Sequence, residues 1–286
     1  MTDRTRVGFV GLGDIGGPMA RCLAGRQEAT GIDLEVFDLD ADRVAAVVAA
    51  GAKPAGSVAE LATGDVLCVQ VNTDAQVRSV LAEVLEVPRE RPLTFVIHST
   101  VAPDTPAELE ALAAPHDVRV VDAPVSGGAM GAADGRLAIM VGGTDEAFAS
   151  IRDVLGGMAE KVVHAGPIGA GTRFKLARNL MHYAAYCAAT EAQRLAEAAG
   201  LDIVALGDVV RHTDAITGGP GAIMHRDTTA EMSPDDFWWG AFDHLRFLAD
   251  KDLGFAIELA EELGVETPLA RLARERLAPG LGYPED

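Results

Sequence analysis

Residues 122–143, DAPVSGGAMGAADGRLAIMVGG, set Ser126, Gly127 and Gly128 directly after an apolar run that ends at Asp122. Small residues in succession can turn several backbone N–H groups and one hydroxyl toward a common point, which holds a carboxylate with little net positive charge. Ser-Gly-Gly is also ordinary turn chemistry, so the loop alone does not decide between the two. Further on, GPIGAGTRFKLARN places Lys175 and Asn179 four residues apart, on one face of a predicted helix. A lysine in an otherwise apolar helix is costly unless it is paired or has work to do, the common alternative being a lysine that snorkels at a helix end. If the helix starts near Thr172, desolvation and the positive end of the helix dipole both favour neutral Lys175, which can then accept a proton at neutral pH. Carboxylate capture and proton transfer are the chemistries these two patterns admit.

A third pattern lies at the start of the chain. Residues 7–17, VGFVGLGDIGG, read as strand, turn and helix, with Gly11, Gly13 and Gly16 in GxGxxG spacing. The first glycine permits the tight turn, the second lets backbone approach a pyrophosphate, and the third lets helix pack on strand. The loop, with Leu12, Asp14 and Ile15 between its glycines, then presents N–H groups and a helix N-terminus to phosphates. The next predicted strand ends in VFDLD, and Asp38 falls about 20 residues after Gly16, the separation expected of an acid that binds ribose. Helix capping is the competing role for Asp38. Asp38, Asp40 and Asp42 together repel a 2′-phosphate, so the pattern favours NAD over NADP, with Arg43 weighing the other way.

The elements that must position these residues follow from periodicity. Strands are predicted near Val7–Val10, Leu34–Phe37, Val66–Val71, Thr94–His98, Val118–Asp122 and Leu137–Val141. Helices begin between them near Gly16, Ala41, Ser57, Ala75, Pro103 and Thr144. Such alternation predicts an α/β Rossmann domain, a doubly wound and mostly parallel sheet, over residues 1–166. From about Thr172 no convincing strand follows. Residues 167–286 therefore read as an all-helical substrate and dimerisation domain that begins with a long interdomain helix. The segment from Thr172 to Ala199 is apolar around most of its circumference, which predicts burial on several sides.

Composition bounds the partners. The formal charge of −19 over 286 residues repels phosphate backbones and anionic lipid headgroups, and no basic stripe offsets it, which excludes nucleic acid and membrane as expected partners. The apolar stretches after Arg6 and from Leu180 to Thr190 are too short and too interrupted to span a bilayer. Three cysteines, Cys22, Cys68 and Cys187, lie far apart in apolar stretches, which suits buried thiols in the cytoplasm better than a disulfide framework. The seven histidines form no HExxH and no pair at i and i+4, so no metal site is expected.

Taken in order, GFVGLGDIGGPMA, HSTVAPDT, DAPVSGGAMGAADGRLAIMVGG, GAGTRFKLARN and KDLGFAIELA resemble the β-hydroxyacid dehydrogenases, the family of 3-hydroxyisobutyrate dehydrogenase, related to 6-phosphogluconate dehydrogenases and semialdehyde reductases. The resemblance spans nearly the whole chain. It implies an active site in a cleft between a Rossmann and a helical domain, with Lys175 as catalytic acid/base and Asn179 as its substrate-positioning partner. It implies that Ser126, Gly127 and Gly128 grip a substrate carboxylate and that Thr100 contacts the cofactor beside its nicotinamide, capping ahead of Pro103 being the alternative role for Thr100. Lys251 in KDL matches a lysine that reaches the cofactor, or is a solvated helix charge. Many members carry Leu-Pro where this chain has Val71-Asn72, so backbone contact with the cofactor is expected there on a loop of different shape. The tail GLGYPED resembles a shortened form of a family tail ending in Asp, a place for Glu285 or Asp286.

The activity implied is hydride transfer between NAD and C3 of a small 3-hydroxy carboxylate, in a homodimer or homotetramer. Two rival readings stay open: a reductase of small semialdehydes or an imine on the same scaffold, and a non-catalytic dinucleotide-binding protein. Imine-reducing relatives tend to lack a lysine at position 175. His182 should project near the face of Lys175, though a satisfied core histidine is the commoner case. Trp238 and Trp239 either line a substrate pocket or belong to a core or subunit interface.

Overall fold

The apolar runs of the N-terminal half become the interior of one nine-stranded sheet in the computed structural model, which describes residues 4–284. In chain order the elements are β1 (Thr5–Val10), α1 (Gly16–Gly25), α2 (Gln27–Thr30), β2 (Ile32–Phe37), α3 (Ala41–Val48), β3 (Lys53–Pro54), α4 (Val58–Leu61), β4 (Val66–Val69), α5 (Asp74–Leu85), β5 (Leu93–Ile97), α6 (Thr105–Ala113) and β6 (Val118–Asp122). There follow β7 (Val125–Ser126), α7 (Gly128–Ala133), β8 (Leu137–Gly142), α8 (Asp145–Gly156), β9 (Ala159–Gly166), α9 (Ala170–Ala198), α10 (Ile203–Thr217), α11 (Phe237–Leu263) and α12 (Pro268–Leu281). Residues up to Arg178 form one compact unit and residues from Asn179 a second, a division that falls inside α9.

The sheet runs β3-β2-β1-β4-β5-β6-β8-β7, with β9 beside β8. Strands β1 to β6 are all parallel, β8 is antiparallel to β6 and β7, and β9 is parallel to β8. Because β1 lies between β2 and β4, the winding reverses there, and the crevice beyond the strand ends at such a reversal is where open α/β sheets take ligands. The loop from Gly11 opens on that crevice. Helices cover both faces, so β4 and β5 are buried along their whole length and read as unbroken apolar runs rather than alternating ones. One face packs Phe9, Met19, Leu23, Val96 and Ile151; the other packs Leu61, Leu67, Leu81, Phe95 and Leu109.

Strand β9 is absent from the sequence reading. Its apolar core is only Val162-Val163 behind the charged Glu160-Lys161, and its exposure alternates poorly, so periodicity carried little signal.

In the second unit α11 packs on α12, and Met232, Phe242, Leu281 and Tyr283 form a small buried core flanked by Trp238 and Trp239. The Glu191 carboxylate on α9 accepts N–H bonds from Leu269 (2.9 Å) and Ala270 (3.1 Å), capping α12 from a neighbouring helix. Residues 179–198 correct the expectation of burial on several sides: Leu180 is 75% exposed and Tyr183 60%. No residue of α10 is buried. Apolar periodicity registers a helix's need for apolar partners, and within this unit the chain supplies them on too few sides. Among the described residues no helix is long and apolar enough to cross a membrane. The cysteine expectation also needs correcting, since only Cys68 is buried, Cys22 is half-buried and Cys187 is exposed; all three are free thiols. Glu285 and Asp286, suggested above as tail residues of the site, lie outside the described residues.

Candidate active site

The glycine loop is built by close approaches that only glycine allows. Gly11 has φ +89°, and a Cβ there would lie 2.2 Å from the Gln70 carbonyl oxygen at the end of β4. A Cβ on Gly16 would lie 2.0 Å from the Gly11 carbonyl oxygen, which fixes α1 against the loop. At Gly13, by contrast, the nearest atom to such a Cβ is Arg43 Nη1 at 3.6 Å, so backbone there is open to a ligand. Helix α1 starts after Ile15 with no side-chain cap, so its positive end faces the loop uncapped, although the Gly17 N–H is taken by the Gly13 carbonyl (2.9 Å).

Asp38, just beyond β2, has one carboxylate oxygen on the Leu12 N–H (2.6 Å) and the other on the Asp40 N–H (2.9 Å). It thus hooks the glycine loop to the end of β2 and retains lone pairs for ribose hydroxyls. Capping of α3 falls to Asp40, which accepts from Asp42 and Arg43 N–H groups and pairs with the Arg43 guanidinium at 3.3 Å. Asp38 and Arg43 line a groove of about 250 Å³ with Gly11, Gly13, Leu39 and Val71. The donor set fits a dinucleotide: open backbone at the phosphates and a carboxylate at the ribose.

Val71 and Asn72 form the next rim. The Val71 N–H donates to the buried Ser99 hydroxyl (2.9 Å), and Asn72 N–H donates to Gln76 Oε1 (3.0 Å) inside the capping box that Thr73 makes with Gln76. A proline at 72 would lack that N–H, so Gln76 sets the loop shape here by another means. Thr100 is exposed beyond β5 and stands well before α6, whose N-cap is Asp104, so it caps no helix.

Ser126 pairs in register with Ala138 of β8, which fixes the start of the Ser126–Gly128 loop. Gly127 (φ +132°) and Gly128 (φ +63°) then turn the chain sharply into α7 with their backbone exposed.

Lys175 is 8% exposed on α9. Burial first, and the charge of Arg178 second, lower its pKa from 10.5 to about 8. At the start of α9 the Asp122 carboxylate meets the N–H groups of Gly169 and Thr172. Burial raises the Asp122 pKa, and those hydrogen bonds offset only part of the rise.

Asn179 is half-buried, one helical turn after Lys175. His182 is half-buried with its ring 4.2 Å from that of Tyr186 and 5.8 Å from that of Tyr183. In the second unit Lys251 is exposed on α11 and pairs with Asp252 at 3.1 Å. Trp238 stacks with His225 (5.8 Å) and Phe242 (5.4 Å), and Trp239 meets Tyr283 (4.7 Å), an aromatic cluster within that unit. Among the described residues no group of three or more His, Cys, Asp or Glu side chains could hold a metal ion.

Sequence reasoning passed over His98, Ser99 and Asp122 as site residues. All three are buried polar groups at the ends of β5 and β6, and the strings HST and DAP that carry them adjoin residues it did select.

Two family models match almost end to end. Residues 6–166 match the NAD-binding domain of 6-phosphogluconate dehydrogenase, and residues 169–281 match the domain described as NAD-binding of NADP-dependent 3-hydroxyisobutyrate dehydrogenase. The chain belongs to the β-hydroxyacid dehydrogenase family. Among its β-hydroxyacid dehydrogenase relatives, 3-hydroxyisobutyrate dehydrogenase of Pseudomonas aeruginosa is 34% identical over 94% of this chain and 90% of that protein. The NAD-dependent L-serine dehydrogenase of the same organism is 33% identical over 98% and 94%. An uncharacterized oxidoreductase of Mycobacterium tuberculosis H37Rv is 49% identical over 98% and 94%. A solved structure from Mycobacterium avium 104 superposes with TM-score 0.93 at 47% identity, covering 99% of this chain and 100% of that one. The chain is therefore an oxidoreductase whose first unit is an NAD-binding domain.

Proposed function

We propose that this dehydrogenase transfers hydride reversibly between NAD and C3 of a small 3-hydroxy carboxylate, with Lys175 as general acid/base. The observation that carries the reading is a lysine 8% exposed whose pKa is drawn down to about 8, where it can hold or release a proton near neutral pH. Bound NAD supplies the hydride acceptor for oxidation and, in its reduced form, the donor for the reverse direction. In oxidation Lys175 Nζ takes the substrate hydroxyl proton as the C3–H bond breaks; in reduction its ammonium gives a proton to the substrate's carbonyl oxygen as the C3–H bond forms. Asn179 orients the hydroxyl from the next turn of α9. The Ser126 hydroxyl and the exposed backbone of Gly127 and Gly128 hold the carboxylate, and Thr100 contacts the cofactor. L-Serine and 3-hydroxyisobutyrate, for which two relatives are named, are both 3-hydroxy carboxylates.

A second copy of the chain supplies the apolar partners that α9 and α10 lack, giving a homodimer or homotetramer; exposed Leu180, Tyr183, Val204 and Val209 support this. Free thiols at all three cysteines support a reducing, cytoplasmic setting. The deciding experiment is a panel of small 3-hydroxy acids and their semialdehydes with NAD and NADP, followed by nicotinamide absorbance, for the natural chain and Lys175→Ala. Turnover of an acid in this class that disappears in Lys175→Ala while NADH binding persists is expected. Near-normal turnover by the variant overturns the assignment.

A further inference from the structure

We propose that Asp122 is the positioning residue that registers Lys175 against the Ser126 loop. The proposal rests on the reading of Lys175 as the proton-transfer group.

The first N–H groups of a helix need acceptors from outside it. Helices α3, α4, α5 and α8 meet the need locally, with the side chains of Asp40, Ser57, Thr73 and Thr144 at their own N-caps. At α9 the acceptor comes from the sheet instead. Asp122, the last residue of β6, is 0% exposed, and its two carboxylate oxygens accept from Gly169 N–H at 2.7 Å and Thr172 N–H at 2.6 Å. Sinking a carboxylate this deep is costly unless strong, charge-assisted hydrogen bonds repay it. A local cap would have satisfied the helix more cheaply. What the remote carboxylate adds is a fixed height and rotation of α9 relative to the sheet.

The surrounding backbone is cut to fit this contact. A Cβ on Gly142 would lie 2.3 Å from Asp122 Oδ1, and one on Gly171 would lie 2.3 Å from the Met140 carbonyl oxygen and 2.8 Å from that of Asp122. The first turn of α9 thus sits directly on β6 and β8, with Lys175 one turn beyond Thr172. On the other side of Asp122 the chain is pinned just as firmly. Ala123 donates its N–H to the Ile97 carbonyl (2.8 Å), and its own carbonyl accepts from His98 Nδ1–H (2.8 Å). Burial lowers the His98 pKa to about 4, so the ring is neutral and the carbonyl contact assigns its proton to Nδ1. Three residues further on, Ser126 enters its pairing with β8. The carboxylate anchor and the proton-transfer group are therefore both referenced to one side chain, as a reaction needing placement within a fraction of an ångström requires.

The test is Asp122→Asn in the full chain, which keeps the volume but turns an NH₂ toward one of the two N–H donors. A displacement of α9 by about 1 Å should lower kcat about 100-fold while KM for the hydroxy acid, set at the Ser126 loop, changes much less. NADH affinity, read by fluorescence titration, should hold. A merely structural role would lower the melting temperature and leave kcat intact well below it, and that result overturns the proposal. Lys175→Ala, assayed alongside, separates the two layers. If it stays active, the acid/base reading fails; if it is inactive while Asp122→Asn is fully active, only the positioning role fails. Should the Asn variant not fold, amide hydrogen exchange of the natural chain decides. Gly169 and Thr172 amides should exchange as slowly as those of β6, and exchange at the rate of solvent-exposed amides overturns the proposal.

Discussion

Replacing Lys175 with Met tests stability and catalysis at one position. Met keeps an unbranched apolar stem of similar reach and removes the charge. The fall of the Lys175 pKa from 10.5 to about 8 is worth about 3 kcal/mol against the charged form in the folded chain. Below pH 8 folded and unfolded chains both carry the ammonium, and the fold bears the full penalty. Between pH 8 and 10.5 the unfolded chain holds a proton that the folded chain has released, so stability rises with pH across that window. The variant has no such group. Urea unfolding should therefore find Lys175→Met more stable than the natural chain by up to about 3 kcal/mol at pH 7, with the advantage shrinking steadily above pH 8. Turnover should move the other way. Loss of a positioned acid/base should reduce kcat about 10²- to 10⁴-fold with NADH binding retained. In the natural enzyme kcat for oxidation should rise through an ionisation near pH 8, and the reductive rate should fall through it. A stability difference that is flat from pH 7 to 10, with a kcat profile lacking any ionisation near 8, would refute the reasoning.

Three further outcomes are expected. Ser126→Ala removes one hydrogen bond to a charged carboxylate, so KM for the acid should rise about 10- to 100-fold with kcat nearly unchanged in steady-state kinetics; an unaltered KM argues against this anchor. Asp38→Ala should lower kcat/KM with NAD and raise the NADP-to-NAD ratio about tenfold or more, because it removes both the ribose acceptor and a charge that repels a 2′-phosphate. An unchanged ratio would assign Asp38 to the loop hook alone. Light scattering after size exclusion should give a mass of at least two chains, and a monomer at micromolar concentration would remove the second copy as the cover for α9 and α10.

The order of strands and helices in the first unit and its parallel winding were legible because each element carries its own periodicity and each turn its own glycines. Gly11, Gly13 and Gly16 and the acid at Asp38 are short-range signals of the same kind. Lys175 stood out because a charge in an apolar helix is locally anomalous. Strand β9 was not legible, since a partner strand, rather than alternation within Glu160–Val163, makes it a strand. Nor was the exposure of Leu180 and Tyr183, because apolarity reports what a helix needs and not whether its own chain provides it.

By itself, then, the sequence determined which residues could bind a dinucleotide, take a carboxylate and carry a proton, because those capacities belong to side-chain type and local spacing. Only the tertiary structure decided how they are held. Burial, to 8% exposure, is the first cause that lowers the Lys175 pKa. Asp122 reaches Gly169 and Thr172 across some fifty residues of chain. Such bonds join groups distant in sequence, and only the folding of β6, β8 and α9 onto one another brings them within 3 Å.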